Sequence, residues 1–274
     1  MEFSELERLE VFLRAQLPGS SLLHNCVLLQ QGKDGVERQF FLNTGWTEDR
    51  LVLVCLDSSE AAMAKLLLYT EPLDLAGLEE LLMPWVSGRQ WSCTVLLGGL
   101  GPSHTAILGR LLDRQVAWQA ECREFYLQDQ GQGQEGDLDS DDWKIDFLGQ
   151  DHVDLVLSTW KYSDKGVASG MLSSLMERKR VQGVFPAASL QPAAWVTLYS
   201  YGTLGMLHTR EEFRRKGLAR QLMVAAGRRV REEWGLTPLV HIEEDNTASQ
   251  TLFISLGYIK GRPAIWTAFP EPSS

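Results

Sequence analysis

A chain of 274 residues with 44% hydrophobic content can bury a full core and is expected to make two domains. Its formal charge of −10 argues against a general nucleic-acid binder, and no run approaches the ~18 apolar residues of a membrane span. The charge is uneven: residues 1–142 carry 10 Lys+Arg against 23 Asp+Glu, whereas residues 143–274 carry 16 against 13, a net of +3. A mildly basic second half suits a small anionic ligand better than a polyanion.

The N-terminal stretch "MEFSELERLEVFLRAQLP" reads as an amphipathic helix, with Ser4 and Glu7 as a capping box and Leu6, Leu9, Leu13 and Leu17 on one face. It is acidic, unlike an Arg-rich presequence, and an uncleaved internal import signal stays open. The runs "CVLLQQ", "QFFLNTGW" and "LVLVCLD" read as strands, followed by helical segments and the strand "WSCTVLLGG". The turn "GGLGPSH" that follows is neither a Walker sequence nor a full GxGxxG and is read as a plain strand-to-helix turn. Cys26, Cys55, Cys93 and Cys122 match no metal-site spacing and follow no apolar signal segment, so reduced thiols, an intracellular, cytoplasmic protein and no metal site are expected.

The acidic, glycine-containing stretch "LQDQGQGQEGDLDSDD", residues 127–142, marks the domain boundary: an N-terminal α/β domain over 1–130, a linker over 131–142 and a C-terminal domain over 143–274. After it come a strand ("WKIDFLG"), two helices ("DHVDLVLSTWKY", "ASGMLSSLMERKR") and three strands ("VQGVFPA", "AAWVTLYSY", "LGMLHT"). A cationic turn, a helix to Trp234, the strand "PLVHIE", the helix "NTASQTLFISLG" and a strand near "IWTAF" complete the chain. Strands and helices in this order make a mixed sheet with flanking helices. The helix before Trp234 carries Leu218, Leu222, Ala225, Ala226 and Val230 on one side.

The turn is "FRRKGLAR", residues 213–220. Helix starts favour acids and hydroxyls, because unpaired N–H groups and the positive dipole end attract negative charge. Cations here imply an anion from outside the chain. Gly217 and Ala219 are small enough to let a ligand approach the backbone at Leu218, and Arg214, Arg215, Lys216 and Arg220 would surround it with positive potential. A pyrophosphate fits; a solvated basic turn is the plainer alternative.

Arg214-x-x-Gly217-x-Ala219 resembles the acyl-coenzyme A pyrophosphate loop of the GNAT acyltransferase superfamily. The stretch "NTASQTLFISLGY" resembles that superfamily's later helix, with Asn246, Ala248, Leu252, Phe253, Gly257 and Tyr258 in register. More narrowly, residues 143–269 are similar to the C-terminal domain of glycine N-acyltransferases, through "STWKYSDKG", the Pro-Ala-Ala-Trp195 strand entry and "EEFRRKG"; the first half resembles that family's N-terminal domain in length and strand pattern. The resemblance implies a GNAT fold in the second domain, an α/β first domain with a degenerate GNAT-like copy as one form it could take, acyl-CoA as co-substrate, Asn246 and Phe253 at the cofactor, and a small amino acid as acceptor, glycine first. It also implies a mitochondrial alternative for location. Two positions depart from the family: Thr203 stands where a glutamate is thought to be the base, and Phe253 where many GNAT enzymes have a tyrosine acid.

An amine attacking a thioester must be neutral, so a base is needed, and the carbonyl oxygen needs preplaced donors as it gains charge. His241 is the first candidate base and His208 the second. Backbone groups of Met206, Leu207 and Thr209 in "LGMLHT" are expected to contact the acyl and pantetheine portions. Glu243, Glu244 and Asp245 are read as a strand end leading into a helix, Trp160 and Trp195 as core, and "ERKR", residues 177–180, as the polar end of a helix. The expected activity is acyl transfer to a small amino acid by a monomer, with no nucleic-acid or membrane partner. Acetylation of a protein or polyamine amine, and CoA binding without catalysis, remain alternatives.

Overall fold

The computed structural model describes residues 3–32, 34–42, 46–47, 51–60, 63–71, 75–88, 91–128, 142–163 and 168–271. The chain divides into two compact units, and the division is not contiguous in sequence. Met1–Glu124, His241–Asn246 and Lys260–Ser274 form the first, and Phe125–Val240 and Thr247–Ile259 the second. Most of the acidic linker lies outside the described residues.

In the first unit, α1 (Phe3–Ala15) and α2 (Ser21–Gln31) precede β1 (Arg38–Leu42), β2 (Leu51–Glu60) and β3 (Met63–Glu71). Then follow α3 (Leu75–Ser87), β4 (Thr94–Leu100), α4 (Pro102–Leu112) and β5 (Trp118–Tyr126), with the last strand of the chain, β11 (Ile259–Phe269), inserted so that the order is β1-β2-β3-β4-β11-β5. Val54, Leu66, Leu68, Leu82, Leu97 and Phe269 pack together as its core. The turn after β4 is a plain helix start, with Gly101 extended ahead of Pro102.

Three sequence expectations change here. The run "CVLLQQ" belongs to helix α2 rather than a strand: Ser21 to Val27 are all buried, and a helix buried all round shows no periodicity to separate it from a buried strand. The segment Met63–Glu71, expected to be helical, is strand β3. It pairs antiparallel with β2 and parallel with β4, and sheet pairing on both sides outweighs the helical preference of its Ala, Lys and Leu residues. Its Lys65 lies opposite Asp57 with both buried and 3.9 Å apart. Helix α1 already contains Phe3, which puts Ser4 in its first turn instead of at a cap, and Leu17 falls beyond its end, partly exposed.

The second unit follows the expected order closely. β6 (Trp143–Phe147), α5 (Val153–Thr159), α6 (Ala168–Glu177), β7 (Val181–Pro186), β8 (Ala194–Leu198) and β9 (Leu204–Thr209) lead to α7 (Leu218–Trp234). β10 (Leu239–Glu243) and α8 (Thr247–Ser255) come next, and the strand order is β10-β9-β8-β7-β6. β6 to β9 are antiparallel neighbours, whereas β10 runs parallel to β9 with Val240 opposite Leu204. Trp195, fully buried, packs with Leu172, Leu175, Val181 and Phe185. Arg180 departs from the expected polar helix end: it is buried, its guanidinium lying over Trp234 at 5.4 Å and donating to the Tyr199 carbonyl.

Among the described residues, no helix is long and apolar enough to cross a membrane, and no three His, Cys, Asp or Glu residues are grouped to hold a metal ion. The four cysteines are free thiols.

Candidate functional site

The cationic turn sits between β9 and α7. Arg214 is extended (φ −63°, ψ 160°), Arg215 is left-handed (φ 62°), and Gly217 is the left-handed N-cap of α7 (φ 76°, ψ 3°). Glycine is required for the last of these without strain. No side chain caps this helix and its first turn holds no acid. The first bonded amide is that of Gln221, which donates to Gly217 O at 3.1 Å; among the described residues no acceptor meets the N–H groups of Leu218, Ala219 and Arg220. A Cβ placed on Gly217 would meet nothing within 4 Å, so the backbone at this helix start is open on that side. Leu218 turns its side chain into the core while Arg215, Lys216 and Arg220 are exposed. Amides without acceptors at a helix start, next to cations, are the kind of arrangement that attracts an anion.

The cations are held differently from one another. Arg214 Nε donates to Thr209 O at 3.3 Å, folding back on the end of β9. Lys216 Nζ lies over the rings of Trp143 and Phe213 at 5.7 and 5.4 Å, which themselves meet edge to face. Arg220 donates to Ser255 O and Oγ at 2.7 and 3.2 Å, tying the start of α7 to the end of α8. Its guanidinium is thus committed to the protein, which leaves only its backbone amide facing outward at the helix start.

β9 carries a bulge. Trp195 pairs with His208 and Thr197 with Gly205, so Val196 faces two residues, Met206 and Leu207, and Met206 adopts φ 50°. A non-glycine residue in this region re-aims the peptide units on either side of it. Met206 Sδ accepts from Thr197 Oγ1 at 3.7 Å, and Met206, Leu207 and Thr209 are half-buried. His208 stacks on Trp195 with ring centroids 4.8 Å apart, and burial, helped by Arg214, holds its pKa below the usual imidazole value. Thr203 is buried, its carbonyl accepting from the Tyr199 amide. Phe253 is buried edge-on to Tyr258. Asn246 is exposed, its N–H donating to Glu243 O at 3.0 Å.

His241, in the first unit, has a specific environment. Trp266 Nε1 donates to its Nδ1 at 3.0 Å. An indole N–H can only donate, so Nδ1 is the acceptor and the neutral ring carries its hydrogen on Nε2. The lone pair a base would use is therefore engaged by Trp266. Nε2 lies 3.8 Å from Glu124 Oε2, and Arg262 Nε lies 3.6 Å from the same oxygen, both too long for hydrogen bonds. Glu124 Oε2, His241 Nε2 and Arg262 Nε and Nη2 are buried without partners. Sequence reasoning missed Glu124, Arg262 and Trp266; the available signal was an acid at an inward position of "AECREFY", among residues that alternate in burial.

Glu244 is bound by Arg123 at 2.6 Å and lies 3.7 Å from Lys260. A cavity of about 540 Å³ lies among Thr105, Gly109, Gln119, Cys122, Ile265 and Phe269 of the first unit, and none of the expected catalytic or cofactor residues lines it.

A family model described as FR47-like protein matches residues 181–267. Among solved structures, a Drosophila protein from a structural-genomics programme is 19% identical with a TM-score of 0.79, covering 100% of this chain and 98% of that one. A GCN5-related N-acetyltransferase from Kribbella flavida is 12% identical with a TM-score of 0.52, covering 93% and 95%. A GCN5-related N-acetyltransferase-like protein from Streptococcus suis is 12% identical with a TM-score of 0.50, covering 98% and 100%. No curated protein matches the chain. These likenesses show the fold: a GNAT-type mixed sheet with flanking helices, joined to an N-terminal α/β domain.

Proposed function

We propose that the chain is an acyl-CoA-dependent N-acyltransferase that transfers an acyl group to a small amine, with glycine as the first acceptor to test. The observation that carries this reading is the uncapped start of α7, where three amides without acceptors follow Arg214, Arg215, Lys216 and a Gly217 with open space beside it, one short turn after a bulged strand. The amides of Leu218, Ala219 and Arg220 would hold the pyrophosphate of CoA. The re-aimed backbone at Met206 and Leu207 would contact the pantetheine and the thioester oxygen, supplying donors where charge develops. Bound acyl-CoA supplies the activated carbonyl; the protein holds it and orients the amine against it, which is where most of the acceleration in such a reaction arises.

A second reading, CoA binding without transfer, is favoured by two observations: Thr203 occupies the position of the glutamate base, and Trp266 engages the lone pair of His241. A thiol-release assay separates the two. Purified protein is given several acyl-CoA donors with glycine, other amino acids, a polyamine or a peptide. Release that needs both donor and acceptor supports transfer; CoA binding with no such release supports the second reading.

A further inference from the structure

We propose that Glu124, His241 and Arg262 form an amino-acid site in the first unit, in which Glu124 takes the ammonium of an α-amino acid and Arg262 with His241 takes its carboxylate. The site is argued from its own geometry within the first unit; only the choice of glycine as its probe rests on the function proposed above.

Four polar atoms from three strands converge there. Glu124 Oε2 on β5 is an acceptor, and His241 Nε2 on β10 and Arg262 Nε on β11 stand 3.8 and 3.6 Å from it. Arg262 Nη2 is the fourth, and none of the four has a hydrogen-bond partner although each is buried. A buried donor or acceptor left without a partner bears its full desolvation cost, and a charged one more. The same unit shows what a closed ion pair looks like: Arg38 meets Asp34 at 2.7 Å and Arg123 meets Glu244 at 2.6 Å. Arg262 stops short of Glu124 and leaves both groups with unused capacity.

The cluster is held rigidly from behind. Trp266 fixes the ring of His241 through Nδ1 and itself lies on Gly98, where a Cβ would fall 2.1 Å from the indole. His241 is consequently a donor at Nε2, so the cluster presents one anionic acceptor and three donors. A simple amine satisfies Glu124 and leaves the donors unmade; a simple carboxylate does the reverse. An α-amino acid carries both groups on one carbon, at a spacing that suits atoms less than 4 Å apart. Glu124 is 2% exposed at its side chain, whereas Arg262 is 36% exposed, which makes the arginine the side from which a ligand arrives. His104 lies close enough to Arg262 that the guanidinium, after burial, adds to the lowering of its pKa, so His104 adds no positive charge against the carboxylate near neutrality.

Direct binding tests the proposal. NMR titrations of the whole protein with glycine, methylamine and acetate, alone and with CoA present, are compared for wild type, Glu124→Gln and Arg262→Lys. Glycine should bind the wild type at least about 10-fold more tightly than either half-ligand, since each half forgoes charge-assisted bonds. Each substitution should weaken glycine by about 10-fold or more and leave CoA affinity and the far-ultraviolet spectrum unchanged. Glycine binding no tighter than methylamine to wild-type protein overturns the proposal, whatever the variants do. So does unaltered glycine affinity in both folded variants. Glycine that binds here but gives no CoA thiol in the acyl-CoA assay described above would sink the transfer reading and spare this site.

Discussion

Replacing Gly217 by valine should separate the anion site from the rest of the fold. Gly217 has φ 76°, a conformation that costs an L-residue about 1–2 kcal/mol, and a side chain there would occupy open space at the helix start that a ligand needs to reach the first-turn amides. The strain lowers stability; the side chain blocks the anion. A charge-assisted hydrogen bond contributes about 1.5–3 kcal/mol, so losing the use of even one amide should weaken CoA by about 10–100-fold. Gly235 provides the control at the other end of the same helix, with φ 66° and nothing within 4 Å of a Cβ. Gly235→Val should show the same fall in Tm and no loss of CoA affinity. The assay is calorimetric titration of CoA into both variants and wild type. Equal affinity in Gly217→Val and wild type, both folded, refutes the site, and an equal loss in both variants shows that strain alone is at work.

Three further outcomes follow from the structure. Arg214→Gln and Arg215→Gln should each weaken CoA by about 1 kcal/mol at low salt and less at high salt, because exposed cations are screened while directed amide bonds are not; abolished binding at high salt would reverse that hierarchy. Gly98→Ala should cost about 1–3 kcal/mol in urea unfolding and alter tryptophan emission, since the new methyl displaces Trp266 from its seat against His241; an unchanged midpoint and spectrum would contradict it. Stability should fall as the pH drops below about 6.5, because burial lowers the pKa of His24, His104 and His208, so the unfolded chain takes up protons before the folded one does. A urea midpoint that rises between pH 7.5 and 5.5 would show the sign to be wrong.

The second unit was legible almost element by element because its strands are short, its helices amphipathic and its turns marked by glycine. α7 begins after Gly217 and ends at Trp234 as the sequence suggests, and of its expected apolar side Leu218, Leu222, Ala226 and Val230 are buried and Ala225 half-buried. The first unit was less legible. α2 is buried all round and β3 is held by pairing on both edges, so neither local pattern nor propensity identifies them. In the site, the cationic turn was readable because cations at a helix start oppose the usual preference. That Arg220 would turn to Ser255, and that Trp266 would engage Nδ1 of His241, depends on side chains meeting 35 and 25 positions away in sequence. Glu124 and Arg262 lie 138 positions apart, as their numbers give, and become a pair only when β11 joins the first sheet.

The central claim is that this chain moves an acyl group from CoA to an amine. A single-turnover reaction with an acyl-CoA labelled in its carbonyl carbon, followed by mass spectrometry, tests it most directly. The account predicts that the label appears in an N-acyl amino acid, glycine being the first acceptor supplied, in step with free CoA thiol. Label retained on CoA or released only as free acid, in protein shown to bind CoA at the start of α7, would contradict it.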